Sequence, residues 1–186
     1  MVEMSLAMEQ YFAELDTSLK KAYKVAMDAR KKGLDPEEKV DIPIARNMAE
    51  RVEGLISAVA PQILGKGVPK RISELEKKYG VLDWRVSFLI AEEVAKEKFC
   101  KFTNQIEAME VGIRVGLAYI TLGTVASPLE GFTHLKIKKT KKNTEYFSAY
   151  FSGPIRSAGG TGASVCVLIA DYIRKVFGFD VYDPDE

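Results

Sequence analysis

The sequence predicts an α+β fold that is mainly helical. Three observations carry this. Apolar residues recur at helical spacing from Leu6 to about Ile120. After Ser127-Pro128 the period changes to two, over Phe132–Thr140 and Thr144–Ser152. A glycine-rich loop, Ser152 to Ser164, then joins the second alternating run to an amphipathic run from Val165 to Val176. Spacing near 3.6 places apolar side chains on one helix face, whereas strict alternation places them on one face of a strand. The chain therefore reads as a helical region, 1–122, followed by a small αβ region, 123–186, of hairpin, glycine loop and helix that continues past the last residue.

The first helix is predicted over Leu6 to Lys32. Phe12, Leu19 and Ala26 repeat every seven residues, as do Met8, Leu15, Ala22 and Ala29, and together they form an a/d seam. Acids lie early (Glu9, Glu14, Asp16) and bases late (Arg30, Lys31, Lys32), which suits the helix dipole. Gly33 is a natural C-terminal cap. A second helix is predicted from Asp41 as cap, with the stripe Ile44, Met48, Val52, Leu55, Ile56 and Val59, stopped by Pro61. A short charged helix follows from about Pro69 to Tyr79, ended by Gly80. Asp83 caps the next, which carries Val86, Leu89, Ile90 and Val94. Asn104 with Glu107 resembles a capping box for a helix bearing Ile106, Met109, Ile113, Leu117 and Ile120. Gly112 and Gly116 lie one turn apart and would let another helix approach closely.

In the hairpin, Leu135 and Ile137 face one side and Lys136 and Lys138 the other, with Lys141-Lys142-Asn143 as the connection. In the loop, Gly159, Gly160 and Gly162 can adopt backbone angles closed to other residues. The helix is expected to begin near Thr161.

A chain of 186 residues can bury a real core, and its net charge of +1 favours no partner class by itself. Cys100 and Cys166 sit in apolar helical patterns and read as reduced packing residues, with neither metal-ligand spacing nor a disulfide framework. The early acids exclude a signal peptide, and no stretch is apolar enough to span a membrane. A cytoplasmic protein is expected. Scarce Asn and Gln beside abundant Lys and Glu lean toward a thermophile.

Three features are candidate sites. Lys136, Lys138, Lys139, Lys141 and Lys142 fall within one hairpin without an acid among them. Such a cluster can contact a nucleic-acid backbone, and equally can blunt a sheet edge. The loop Gly159, Gly160, Thr161 and Gly162 can hold an anion or simply turn the chain, and Arg156 can add a charged donor, to a DNA phosphate as to another anion, or equally pair with a carboxylate. It lacks the lysine of a P-loop and the third glycine of a dinucleotide fingerprint. It resembles the phosphate loop of small-molecule kinases of the galactokinase and homoserine-kinase type, whose other motifs are not evident. The helical seam around Phe12, Leu15 and Leu19 can be buried in the chain's own bundle or can pair with another copy or a partner subunit. His134, the one histidine, reads as a strand residue facing solvent or another side chain. Trp84 reads as core, and Asp180, Asp183, Asp185 and Glu186 as a solvated acidic group. A Ser-His-Asp arrangement can be written only on paper. No metal site and no catalytic residue is evident.

The run Phe151-Ser152-Gly153-Pro154-Ile155-Arg156-Ser157-Ala158-Gly159-Gly160-Thr161-Gly162-Ala163, with Leu168 to Lys175 after it, resembles the beginning of the large subunit of the archaeal family D DNA polymerase. Met8-Glu9-Gln10-Tyr11-Phe12 and Val40-Asp41-Ile42-Pro43-Ile44-Ala45 fit the same family. The resemblance covers the whole chain. It implies a replicative, two-subunit, DNA-directed DNA polymerase. The large subunit holds the nucleotidyltransferase centre and the small subunit a 3′–5′ exonuclease. The full enzyme uses divalent metal such as magnesium, binds zinc through cysteine clusters and works with a sliding clamp. None of the catalytic aspartates or zinc cysteines can be carried onto this chain, so no cofactor is expected within it. The resemblance implies a region that does not polymerise by itself; the helical seam and the lysine hairpin then suggest that it supports assembly, as a homodimer or with the small subunit, and that it contacts DNA. The alternatives are a kinase-like phosphate-binding domain built on the glycine loop and a pure scaffold.

Overall fold

A computed structural model describes residues 5–34, 45–153, 155 and 160–181. Its contacts divide the chain into two compact units, Met1–Pro43 and Ile44–Glu186. Position 122, where the sequence pattern changes, lies inside the second unit.

The first unit contributes a single helix, α1 (Leu6–Lys31). Ser5 caps it, its hydroxyl accepting the Met8 N–H at 3.4 Å. It closes as expected at Gly33, whose φ is 67°. The Gly33 N–H donates to the Arg30 carbonyl and the Leu34 N–H to that of Ala29, the paired bonds of a Schellman ending. None of its residues is buried.

The second unit is an α+β fold, mainly α. It contains α2 (Met48–Ile56), α3 (Val68–Tyr79), α4 (Trp84–Ala95), α5 (Gln105–Ile120), an antiparallel hairpin of β1 (Phe132–Lys139) and β2 (Glu145–Phe151), and α6 (Thr161–Val176). A short 3₁₀ turn, Pro61–Ile63, follows α2, and a wide π turn, Ser127–Gly131, leads into β1.

Helix α2 begins later than its apolar pattern suggests. Its cap is Asn47, not Asp41, which lies outside the described residues. The Asn47 side chain accepts the Glu50 N–H at 2.9 Å, and the Glu50 carboxylate reaches back to the Arg46 N–H at 2.7 Å. Helix α5 repeats this device: Asn104 accepts from the Glu107 N–H, and Glu107 accepts from the Thr103 N–H. The same Asn-x-x-Glu pattern therefore starts both helices, with the acid bonding one residue before the cap. Asp83 caps α4 as expected, its carboxylate taking the Arg85 N–H at 2.8 Å.

Helices α4 and α5 form the middle layer, and their opposite faces build two cores. Val86, Ile90 and Val94 of α4 join Val111, Val115, Ala118 and Tyr119 of α5 against α2 and α3. Ala91 and Ala95 with Met109, Ile113 and Leu117 face the hairpin and α6, meeting Phe132, Leu135, Cys166, Ile169 and Ile173. Helix α5 is consequently buried almost all round, from Ala108 to Tyr119 except Glu110. Such a helix needs a largely apolar circumference.

The two glycines of α5 set the helix spacing. A Cβ on Gly112 would stand 2.4 Å from the Ala91 carbonyl oxygen, and one on Gly116 would stand 2.9 Å from that of Ser87. The opposing backbone therefore occupies the space a side chain would need. The Ser87 hydroxyl uses this proximity, donating to the Gly116 carbonyl at 2.9 Å.

Polar groups in the layers are paired. The Arg71 guanidinium forks onto the Glu93 carboxylate with two bonds of 2.8 Å, and Lys98 approaches Glu93 at 3.3 Å. Burial pushes the Glu93 carboxyl up, but the Arg71 fork and Lys98 together outweigh burial and hold it below its ordinary value. The buried Tyr119 hydroxyl accepts the Leu82 N–H at 2.8 Å and donates to Glu76 at 3.0 Å. Cys166 is fully buried, and burial pushes its thiol up to about 12; Cys100 is half-buried, and both are free thiols. Trp84 departs from the expected core position. It is 43% exposed at the start of α4, where the helix N-terminus turns it outward against Phe88. Among the described residues no helix is long and apolar enough to cross a membrane.

Gly112→Ala is expected to destabilise the fold by about 1–2 kcal/mol, because overpacking against backbone exceeds the gain in helix propensity; urea denaturation would measure it. Glu93→Gln is expected to cost about 1–2 kcal/mol at neutral pH, since the outer side of Arg71 is open to water. A carboxyl held below its ordinary 4.5 stabilises fully above 4.5 and loses that contribution as pH falls through its folded value. Thermal melts from pH 7 to pH 3 should therefore show the gap between wild type and Glu93→Gln closing in the acid range.

Candidate nucleic-acid interface

The hairpin gathers most of the basic residues singled out in the sequence. Its register sets Phe132 opposite Phe151, His134 opposite Tyr150, Leu135 opposite Ala149, Lys136 opposite Ser148 and Lys138 opposite Tyr146, with a bulge between Phe132 and His134. Alternation along β1 turns Leu135 inward, and Lys136 and Lys138 are exposed. The hairpin's polar face is thus His134, Lys136 and Lys138 beside Ser148 and Tyr150, with Tyr146 opposite Lys138 but buried.

Tyr150 organises that face. The His134 ring stacks on it in parallel, 4.5 Å between centroids with an interplanar angle of 8°. The Lys136 and Lys138 ammonium groups lie 5.2 Å and 5.6 Å from its ring centroid. Cation–π attraction holds both lysine tails near the sheet surface. Two lysine ammonium groups and two flat rings therefore sit side by side on this face. Sequence reading missed Tyr150, although its alternation with Tyr146 and Ser148 would have placed it there once the register was known.

The other lysines are distributed differently from a single patch. Lys141 and Lys142 stand exposed at the hairpin tip, and Lys139 lies opposite Glu145 at the strand end, on the alternate face from Lys138. The tip is firmly built. Thr140 donates its N–H to the Thr144 carbonyl at 2.9 Å, and Asn143 adopts φ 64°. The two threonine hydroxyls meet at 2.6 Å, and that of Thr144 donates to Asp180 at 2.6 Å. This bond and the Val181 N–H hold the Asp180 carboxyl below its ordinary value.

Arg114, also missed in the sequence, anchors the entrance to β1. It is 8% exposed in the middle of α5, and burial pushes its guanidinium down. It donates to the carbonyls of Pro128, of Leu129 at 3.0 Å and of Thr133 at 2.6 Å, and lies 4.9 Å over the Phe132 ring. An arginine among the apolar positions of α5 was the available signal, because a buried charge requires partners.

The glycine loop is only partly described, since Arg156 and Gly159 lie outside the described residues. Gly160 caps α6 in the left-handed region, with φ 81°. A Cβ on Gly162 would meet the Ser127 hydroxyl at 3.1 Å and Ile155 at 3.4 Å. One on Gly131 would lie 2.6 Å from the buried Ile155. Gly131 thus makes room for Ile155, and Gly162 for the Ser127 hydroxyl, a packing reason for both glycines. The described loop residues turn β2 into α6 as expected, with Thr161 opening the helix. Among the described residues no cluster of His, Cys, Asp or Glu could hold a metal ion. Asp183, Asp185 and Glu186 lie outside the described residues.

On α1, Phe12, Leu15 and Leu19 are 47%, 45% and 39% exposed, with Met8 alongside them at 49%. Tyr11 packs edge-on to Phe12 at 5.7 Å.

Fold and surface together define a mainly helical domain that carries a basic, aromatic-studded hairpin. The chain matches the family described as "DNA polymerase II large subunit DP2, N-terminal" over residues 10–186, and it belongs to that family. It is 45% identical over 174 residues to the DNA polymerase II large subunit of Nanoarchaeum equitans, covering 94% of this chain and 14% of that protein. Against the Methanosphaera stadtmanae subunit the identity is 44%, over 95% of this chain and 15% of that one. Against the Methanococcus maripaludis C7 subunit it is 41%, over 100% and 16%. The chain spans about one seventh of the length of the curated relatives it matches.

Proposed function

We propose that this chain is the assembly and DNA-contacting region of a replicative DNA-directed DNA polymerase, in which the nucleotidyl-transfer centre lies elsewhere in the subunit. The observation that carries the DNA reading is the face formed by Lys136 and Lys138 on the His134–Tyr150 stack, with Lys141 and Lys142 beyond it at the tip. Lysines near phosphates release condensed counterions, which gives binding that depends on salt and not on sequence. Contacts to phosphate position a duplex without reading bases, and a replicative enzyme has to accept every sequence. The aromatic pair adds a flat apolar surface for sugars or unpaired bases.

The exposed seam of α1 supports assembly. Met8, Phe12, Leu15 and Leu19 recur at heptad spacing over a helix of about 39 Å. A stripe of that kind serves as a contact for a partner helix. The small, exonuclease-bearing subunit is the proposed partner, with self-pairing as the competing outcome. The sliding clamp, magnesium and zinc belong to the rest of the full enzyme in this reading, which acts in the cytoplasm.

Replacing Lys136, Lys138, Lys141 and Lys142 together with Ala in the full-length subunit should weaken DNA binding. It should also flatten the slope of log affinity against log salt by about 0.7–0.9 for each phosphate that is no longer neutralised. Fluorescence anisotropy across a salt series checks this, and an unchanged slope overturns the DNA reading. Leu15→Glu with Leu19→Glu should abolish association through α1 while leaving the second unit's melting transition in place. Analytical ultracentrifugation with and without the small subunit reads the result, and an unchanged mass distribution overturns the assembly reading.

A further inference from the structure

The two edges of the hairpin are covered by different parts of the chain. Backbone groups of alternate strand residues point to the same edge. On β1, α5 takes outward groups near the start of the strand: the Leu135 N–H donates to the Glu110 carboxylate at 2.6 Å, and the Thr133 carbonyl accepts from Arg114. Those side chains cover the Thr133–Leu135 stretch of that edge.

The edge of β2 is sealed at one end alone. The Asp180 N–H donates to the Glu145 carbonyl at 2.8 Å, so Glu145, Phe147, Ala149 and Phe151 point their backbone groups away from β1. Past Glu145, no described residue bonds to this edge. Beside it runs a groove of about 590 Å³. Phe147, Ala149 and Phe151 line it from the strand and Val167 and Ala170 from α6, with Val181 beside them and the charged Asp171 and Arg174 of α6 on its border. Val167 and Val181 are 50% and 60% exposed. An apolar, unpaired edge of this length invites strand addition and is normally covered in a native protein.

The chain itself leads into the groove. After α6, Arg174 donates to the Phe179 carbonyl at 2.8 Å, and Phe179 packs edge-on to Phe147 with centroids 5.6 Å apart. Asp180 then makes the first bond on the β2 edge. The relatives extend roughly six-fold further than the stretch matched by this chain. We propose that a strand from the polypeptide C-terminal to Glu186 in the full-length large subunit pairs with the open edge of β2 and fills this groove. Its inward residues would be small or branched apolar side chains that fit against Val167 and Ala170. Its outward residues would extend the polar face that carries Lys138 and Tyr150. Covalent linkage favours this occupant over a second copy, because a tethered segment arrives at millimolar effective concentration. The inference rests on family membership and the β2 geometry, and it stands or falls independently of DNA binding.

Hydrogen exchange on the isolated full-length large subunit, resolved to single amides, tests it. The Phe147, Ala149 and Phe151 amides should exchange at least about a hundredfold more slowly than their unstructured rates, at every protein concentration. Ser148, bonded to β1, should be slow as well. Exchange of the three edge amides within about tenfold of the unstructured rate overturns the proposal. So does protection that disappears on dilution, which marks a second copy, or protection that requires another protein. If Ser148 also exchanges freely, the hairpin is not formed and the proposal falls with it.

Discussion

The close contact between α4 and α5 governs the rest of the second unit. Gly112 and Gly116 let the α5 backbone meet the backbone of Ala91 and Ser87. Two helices at that separation present a thin double layer with an apolar surface on each side. Helices α2 and α3 cover one surface, and the hairpin and α6 cover the other. Larger residues at the crossing would push the helices apart and misplace both covering layers together.

Being buried on nearly every side, α5 is also the fold's polar switchboard. Tyr119 ties its C-terminal end to α3 and to the bend at Leu82. Arg114 and Glu110 reach the opposite way, to the π turn and the first strand. Their bonds fix how β1 leaves the helical layer, and hence which way His134, Lys136 and Lys138 face. The basic face is therefore positioned by charged side chains hidden beneath it, not by the exposed lysines themselves. A buried guanidinium that satisfies three carbonyls is costly to desolvate, but its directional bonds specify a single strand orientation.

Much of this was legible in the residues, for reasons that are local. Asp83, Asn104, Gly33 and Gly80 act through neighbours one to four positions away, so their roles follow from spacing. The alternation of Leu135 and Lys136 likewise identifies a face without knowledge of the partner strand. The start of α2 was misplaced because Asp41-x-Pro43 is a sound cap pattern, and Asn47 with Glu50 was overlooked beside it. Trp84 was misassigned because size and apolarity predict burial on average, whereas the first turn of α4 leaves its ring at the surface. The Tyr150 stack, the Arg114 bonds and the open β2 edge depend on register and long-range contact, which no periodicity encodes. For the glycine loop, the sequence left a turn and an anion site open. The Ser127 hydroxyl, 3.1 Å from where a Cβ would stand, gives Gly162 a packing reason.

The aromatic row on α4 has an optical consequence. Trp84 is the one tryptophan of the chain. Its ring centroid lies 6.0 Å from that of Phe88, which in turn stacks at 5.1 Å on Tyr172 of α6. The Tyr172 hydroxyl is tied to Glu92 one turn along α4. The indole is partly wet, so its emission colour responds to small changes in how tightly α6 lies on α4. The molecule thus carries an intrinsic fluorophore at the joint between its helical layer and the hairpin side, able to report movement there without an added dye.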